Sequence, residues 1–265
     1  MELTDMKSVT AFLIWALCSI SLSAQTDISL RVMSMNIRQG AEYADGESAP
    51  YADLIKSYDP DIIALQEVDY KTVRNGGKDW LNEVAQQTGM FPYYCKSISY
   101  QGGAFGTALL SKYPFYKAAK VVFKHADTRE DRATGWIYVQ FPSGQSIRFG
   151  TVHLSLETSQ LTIQHFASIN KAFFAEDTVT PALMIGDYNA ASGSDPINYV
   201  KNKWQEIIPN MGPTIPSDKP TTQLDYIMGY PKASWTCSSY EIIARQDLSD
   251  HCFIVADLQI SIGNE

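Results

Sequence analysis

The stretch Asp61-Ile62-Ile63-Ala64-Leu65-Gln66-Glu67-Val68-Asp69 decides the architecture. From Ile62 to Leu65 it is apolar without alternation, the pattern of a strand covered on both faces rather than one with a wet side. Asp59-Pro60, just before it, closes a preceding helix, because the residue ahead of a proline is pushed out of the α region. Tyr51, Leu54, Ile55 and Tyr58 recur at helical spacing, and residues 28–37 alternate apolar with polar as a strand does. Downstream, Leu81, Val84 and Ala85 mark a second helix, capped by Gly89. The pattern then predicts strands over 93–99, 106–111, 115–123, 136–141 and 147–154, a helix over 161–174, and a buried strand over 182–186. Strands over 224–228, 239–244 and 253–260 complete the chain. Many strands with few helices, some strands buried on both faces, predict an α/β fold: two mixed sheets packed face to face, with helices outside.

The chain has 265 residues, 45% of them hydrophobic and 19% charged, which excludes a disordered or collagen-like protein and allows one large core. The formal net charge of −8 argues against a partner gripped through a broad basic face, as duplex nucleic acid or an anionic membrane would be. Val9 to Ile20 is too short an apolar run to span a bilayer and is followed by small residues up to Ala24. Residues 1–24 therefore read as a secretory signal peptide. Initiation at Met6 would remove the acidic Glu2 and Asp5, which do not suit such a leader. Leu17 before Cys18 is bulky where lipoprotein processing wants a small residue, so export without lipidation is expected, to the periplasm or outside the cell. Residues 25–265 form one domain with no integral membrane segment. Cys95, Cys237 and Cys252 are odd in number, allow at most one disulfide and lack metal-binding spacing.

The polar residues carry the chemistry. Strand-like segments repeatedly end in acceptors: Asn36, Gln66-Glu67, Asp187 with Asn189, and Asp225. His153 ends another, and Asp250-His251 precedes the last. Capping of a strand end explains any single instance. Repetition is harder to explain that way, because a carboxylate at the end of a core strand is costly to desolvate without a partner or a metal. Gln66 reads equally as a strand-end hydrogen-bonder, His165 as a helix-face residue, and His125 has no motif around it.

In order, Met35-Asn36-Ile37, Leu65-Gln66-Glu67-Val68, Gly150-Thr151-Val152-His153-Leu154, Gly186-Asp187-Tyr188-Asn189, Leu224-Asp225-Tyr226-Ile227 and Ser249-Asp250-His251 resemble the endonuclease/exonuclease/phosphatase (deoxyribonuclease I-like) superfamily. Each motif alone is short; six in the family order are specific. The resemblance implies a four-layered α/β/β/α sandwich and a metal-dependent phosphoester hydrolase. It implies Glu67 as the principal ligand of Mg²⁺ or Mn²⁺, with Asn36 and Asp250 sharing the ion. Asp187 would activate the attacking water, Asn189 would position it or the phosphate, Asp225 would orient His251, and His153 would bind the phosphate. Arg132, in Arg129-Glu130-Asp131-Arg132, is a candidate phosphate-binding residue reaching in from a loop. Thr72-Val73-Arg74, Thr88-Gly89-Met90 and the segment 102–111 look like the compact secreted bacterial branch. The expected activity is a monomeric phosphodiesterase. A secreted nuclease is the enzymatic alternative, and a binding module that kept the fold without turnover is the non-enzymatic one.

Overall fold

The computed structural model describes residues 26–40 and 42–262. The expected leader and its cleavage site lie outside them. Among the described residues no helix is long and apolar enough to cross a membrane.

One six-stranded sheet holds β1 (Thr26–Asn36), β2 (Ile62–Tyr70), β3 (Phe91–Tyr100), β4 (Gly103–Ser111), β11 (Trp235–Ile243) and β12 (Phe253–Ile262), in the order β11-β12-β1-β2-β4-β3. The other holds β5 (Phe115–Phe123), β6 (Arg132–Gln140), β7 (Ser146–His153), β8 (Ala182–Asp187), β9 (Gln205–Glu206) and β10 (Asp225–Tyr230), in the order β5-β6-β7-β8-β10-β9. Each sheet is mixed because one pair runs parallel: β1 with β2, and β7 with β8. Parallel neighbours need a crossover, and α1 (Ala49–Tyr58) and α3 (Ser159–Glu176) supply it. The helices α2 (Trp80–Thr88) and α4 (Asp195–Lys201) complete the outer layers.

The apolar run at 62–65 now has a physical cause. A strand sends successive side chains to opposite faces. Ile62 and Ala64 join the core between the sheets, while Ile63 and Leu65 join the core beneath α1 and α2. β1 divides in the same way, with Leu30 and Val32 inward and Met33 and Met35 toward the helices. A third core, with Phe166, Phe173, Trp204 and Met184, seals α3 and α4 against the second sheet. Three apolar layers between four layers of structure are the predicted sandwich. Burying one such side chain contributes roughly 1.5–3 kcal/mol.

Several boundaries differ from the pattern. β11 begins at Trp235, ahead of the predicted 239, because a register shift between Cys237 and Ser239 breaks its alternation. α4 is too short to show periodicity, although Pro196 sits in its first turn, where a missing N–H costs nothing. Arg132 does not reach in from a loop: it is the first residue of β6 and is 7% exposed. Cys95, Cys237 and Cys252 are free.

Candidate active site

The site forms where strand ends from both sheets meet. Pairing sets its register. In the second sheet, His153 on β7 and Asp225 on β10 are each the direct partner of Asp187 on β8. In the first sheet, Asn36 on β1 pairs with Gln66 on β2. The β2–β4 register then shifts between Leu65 and Val68, and Glu67 adopts a positive φ of 57°. This bulge turns the Glu67 carboxylate to the strand edge rather than into a core. Arg38, Gln39 and Asn189 beside it are also left-handed.

The sheets are tied together directly behind the site. Gln66 is fully buried and donates from Nε2 to Thr151 Oγ1 at 3.2 Å, and Thr151 Oγ1 donates to the Leu65 carbonyl at 3.1 Å. Gly186 makes this approach feasible: a Cβ there would lie 2.6 Å from Gln66 Nε2 and 2.3 Å from the Val152 carbonyl. Gln66 is thus the strand-end hydrogen-bonder that its position implied.

Asp187 is the hub. Its Oδ1 accepts the Asn189 backbone N–H at 2.8 Å. Its Oδ2 lies 3.1 Å from Asn36 Nδ2, 3.6 Å from His153 Nε2 and 3.8 Å from His251 Nε2. Burial and the Asp225 carboxylate push the Asp187 carboxyl up to about 7, against the opposing pull of His251 and the Asn189 amide. The side chain of Asn189 donates to the Leu154 carbonyl at 2.8 Å, which holds the turn rather than leaving the amide free.

The two histidines differ. His251 Nδ1 is 2.9 Å from Asp225 Oδ2, which also accepts from Thr214 Oγ1 at 2.6 Å. Burial would lower the imidazolium, yet Asp225, Asp187 and Asp250 together raise it to about 10. His153 is held neutral: burial, then Arg132, His251 and His165, push it well below its ordinary value. Arg132 Nη1 stands 2.7 Å from His153 Nδ1 and 2.8 Å from Nε2, and a guanidinium can only donate. A neutral ring has one lone pair to accept from that guanidinium, so its other ring nitrogen carries a proton that it can donate. Thr214 and Arg132's pairing carried no sequence signal, because both depend on neighbours far away in the chain.

Glu67 Oε1 accepts from Asn36 Nδ2 at 3.2 Å, and Gln39 Nε2 approaches Oε2 at 3.5 Å. The carboxylates of Glu67 and Asp187 therefore share a single amide NH₂, leaving acceptors in excess of donors. Such an all-oxygen set fits a hard divalent cation. Asp250 is drawn aside, paired with the guanidinium of Arg38. Asp187, Asp225 and His251 also place ligand atoms within 4.8 Å of one another. There, however, Asp225 Oδ2 is already engaged by Thr214 and His251, so a cation would displace two good hydrogen bonds. The Glu67 carboxylate, held only by Asn36 Nδ2 and the long Gln39 contact, offers the freer oxygens; Asn36 Oδ1 already accepts the Arg38 N–H at 3.1 Å and would join an ion only by giving up that bond.

The family model described as Endonuclease/Exonuclease/phosphatase family matches residues 33–251. No curated protein matches the chain. Among solved structures, the endonuclease/exonuclease/phosphatase from Bacteroides vulgatus is similar at 15% identity and TM-score 0.74, covering 88% of this chain and 100% of that one. The mannosyl-6-phosphatase of Bacteroides thetaiotaomicron VPI-5482 is similar at 14% identity and TM-score 0.69, with 86% and 99% covered. The human Nocturnin catalytic domain with bound sulfate is similar at 16% identity and TM-score 0.69, with 90% and 97% covered. With the matched segment running from β1 to the catalytic-type His251, the chain belongs to the endonuclease/exonuclease/phosphatase family.

Proposed function

We propose that the protein is an exported, divalent-metal-dependent phosphodiesterase. The observation that carries the reading is the convergence of Asn36, His153 and His251 on one buried oxygen of Asp187. Export rests on the apolar run from Val9 to Ile20 and the small residues before Gln25.

Glu67 and Asn36, with Asp250 nearby, would hold Mg²⁺ or Mn²⁺, which when bound supplies charge neutralisation for the phosphoryl group. Asp187, with its carboxyl near neutrality, takes the proton of the attacking water as the water oxygen bonds to phosphorus. The ester oxygen departs with its bonding electron pair and is protonated from solvent. His251, kept charged by Asp225, compensates negative charge growing on the phosphoryl oxygens. His153 adds a neutral N–H donor whose orientation Arg132 holds. Asn189 fixes Asp187 through its backbone N–H, leaving Oδ2 for the water.

Purified protein should hydrolyse bis-p-nitrophenyl phosphate with Mg²⁺ or Mn²⁺ and stop on addition of EDTA. Turnover that survives in Asp187→Ala would refute this mechanism. Plasmid DNA cleaved faster than the small diester would move the assignment to a nuclease.

A further inference from the structure

Beside the catalytic-type residues lies a cleft of about 200 Å³, reached past Glu67 and His153 and lined by Gln39, Arg74, Tyr100, Phe105, Glu130 and Arg132, with Ile98 at its wall. We propose that this cleft is a subsite for a single uncharged, polyhydroxylated ring, so that the substrate is the phosphoester of a sugar-like polyol. The inference rests on the reading of the adjacent site as a phosphoester hydrolase and names its substrate class.

Size gives the first argument. Sites for drug-sized ligands span roughly 300–1,000 Å³, so this cleft holds one ring and not a stack of nucleotides. Charge gives the second. Two carboxylates, Glu67 and Glu130, face two guanidiniums, Arg74 and Arg132, and the Arg132–Glu130 pair closes at 3.1 Å. Arg74 is in turn bound by the buried carboxylate of Asp69 at 2.6 and 2.8 Å, which offsets its charge. A second phosphate would meet two carboxylates without an uncommitted cation. A quaternary amine would meet two guanidiniums and find its natural aromatic seat taken: the Arg74 guanidinium already lies 4.6 Å from the Tyr100 ring and 5.4 Å from Phe105.

What remains unmet favours hydroxyls. Arg74 Nη1 makes no hydrogen bond among the described residues, and Glu67 Oε2 has only the 3.5 Å approach of Gln39 Nε2. A hydroxyl both donates and accepts, so a vicinal pair satisfies a neighbouring guanidinium and carboxylate at once. Tyr100 and Phe105, with Arg74 against their rings, give the lining its apolar surface.

The test compares kcat/KM, with Mg²⁺, for p-nitrophenyl phosphodiesters carrying a hexose, choline or thymidine, and for bis-p-nitrophenyl phosphate. The hexose ester should be preferred by at least tenfold. Tyr100→Ala and Glu130→Gln should each erode that preference at least fivefold through KM, while circular dichroism shows the fold intact. Preference for the choline or thymidine ester, or equal rates on all four, would overturn the subsite while leaving the hydrolase reading standing. No turnover of any ester would overturn the hydrolase reading, and the subsite with it. Free hexose protecting the wild type but not Tyr100→Ala against thermal unfolding would support the subsite without recourse to turnover; equal protection of both would count against it.

Discussion

The two sheets bring unlike edges to the same site. The first sheet offers Asn36 and Glu67, with Glu67 partly solvent-accessible on a left-handed bulge and acceptors in excess of donors. The second offers His153, Asp187 and Asp225, all buried, in register, and matched by hydrogen bonds. A partly accessible carboxylate with acceptors in excess suits a hydrated cation that must exchange. A dry, paired edge suits proton transfer: burial and Arg132 keep His153 neutral, while the carboxylates around His251 outweigh the same burial and keep it charged, both beside one Asp187 oxygen. The comparison teaches that one fold can set an accessible carboxylate beside a dry, hydrogen-bonded cluster, with Asn36 Nδ2 3.2 Å from Glu67 and 3.1 Å from Asp187.

The largest expected effect lies on the second sheet. Asp187→Asn should lower kcat by roughly 10²- to 10⁴-fold at every metal concentration; recovery by excess Mn²⁺ would show that Asp187 belongs with the first edge instead. On the first sheet, Glu67→Gln should need at least about tenfold more Mg²⁺ for half-maximal activity, with kcat largely regained at saturation. A metal titration that never recovers would break the comparison from the other side. Thr214→Val removes the 2.6 Å bond to Asp225 and should cost about 1.5–3 kcal/mol, seen as a roughly tenfold or greater loss of kcat at an unchanged metal requirement.

The last effect concerns acid and is small near neutral pH. His165 stacks on Phe123 at 4.6 Å, accepts the Ser155 N–H on Nδ1, and is pushed down to about 3 by burial and then by Arg132. Its folded value lies below its unfolded one, so the unfolded chain binds the extra proton between about pH 6.5 and pH 3. The neutral ring's contribution is present above pH 6.5 and is lost as the pH falls through that window. Denaturant melts should therefore show wild type losing stability relative to His165→Gln by up to about 1.4 kcal/mol per pH unit below pH 6.5. A difference flat with pH would mean that the buried face of the second sheet is wetter than its packing implies.

Much of the fold was legible because its cause is local. Ile62 to Leu65 announces a strand with two cores to fill, and Asp59-Pro60 and Gly89 mark helix ends by backbone constraint alone. The start of β11 was hidden because the bulge at Cys237–Ser239 interrupts the period that identifies a strand. The site residues were legible as a set of acceptors at strand ends, and their family order pointed to the fold. Arg132 was misplaced to a loop because the charged run from Arg129 conceals a strand start, and Arg74, though within a recognised segment, gave no sign of facing the cleft.

The sequence by itself determined the periodicities, the sandwich, and which side chains could carry phosphoester chemistry, since these depend on residue type and spacing along the chain. Tertiary structure alone decided that His153, Asp187 and Asp225 stand side by side, that Glu67 turns outward on a bulge, and that Asp250 is drawn to Arg38. It also decided the opposite charges of His153 and His251. Strand register and burial belong to pairs of distant segments, and the energy of an ionisable group depends on what surrounds it in space rather than on what adjoins it in the chain.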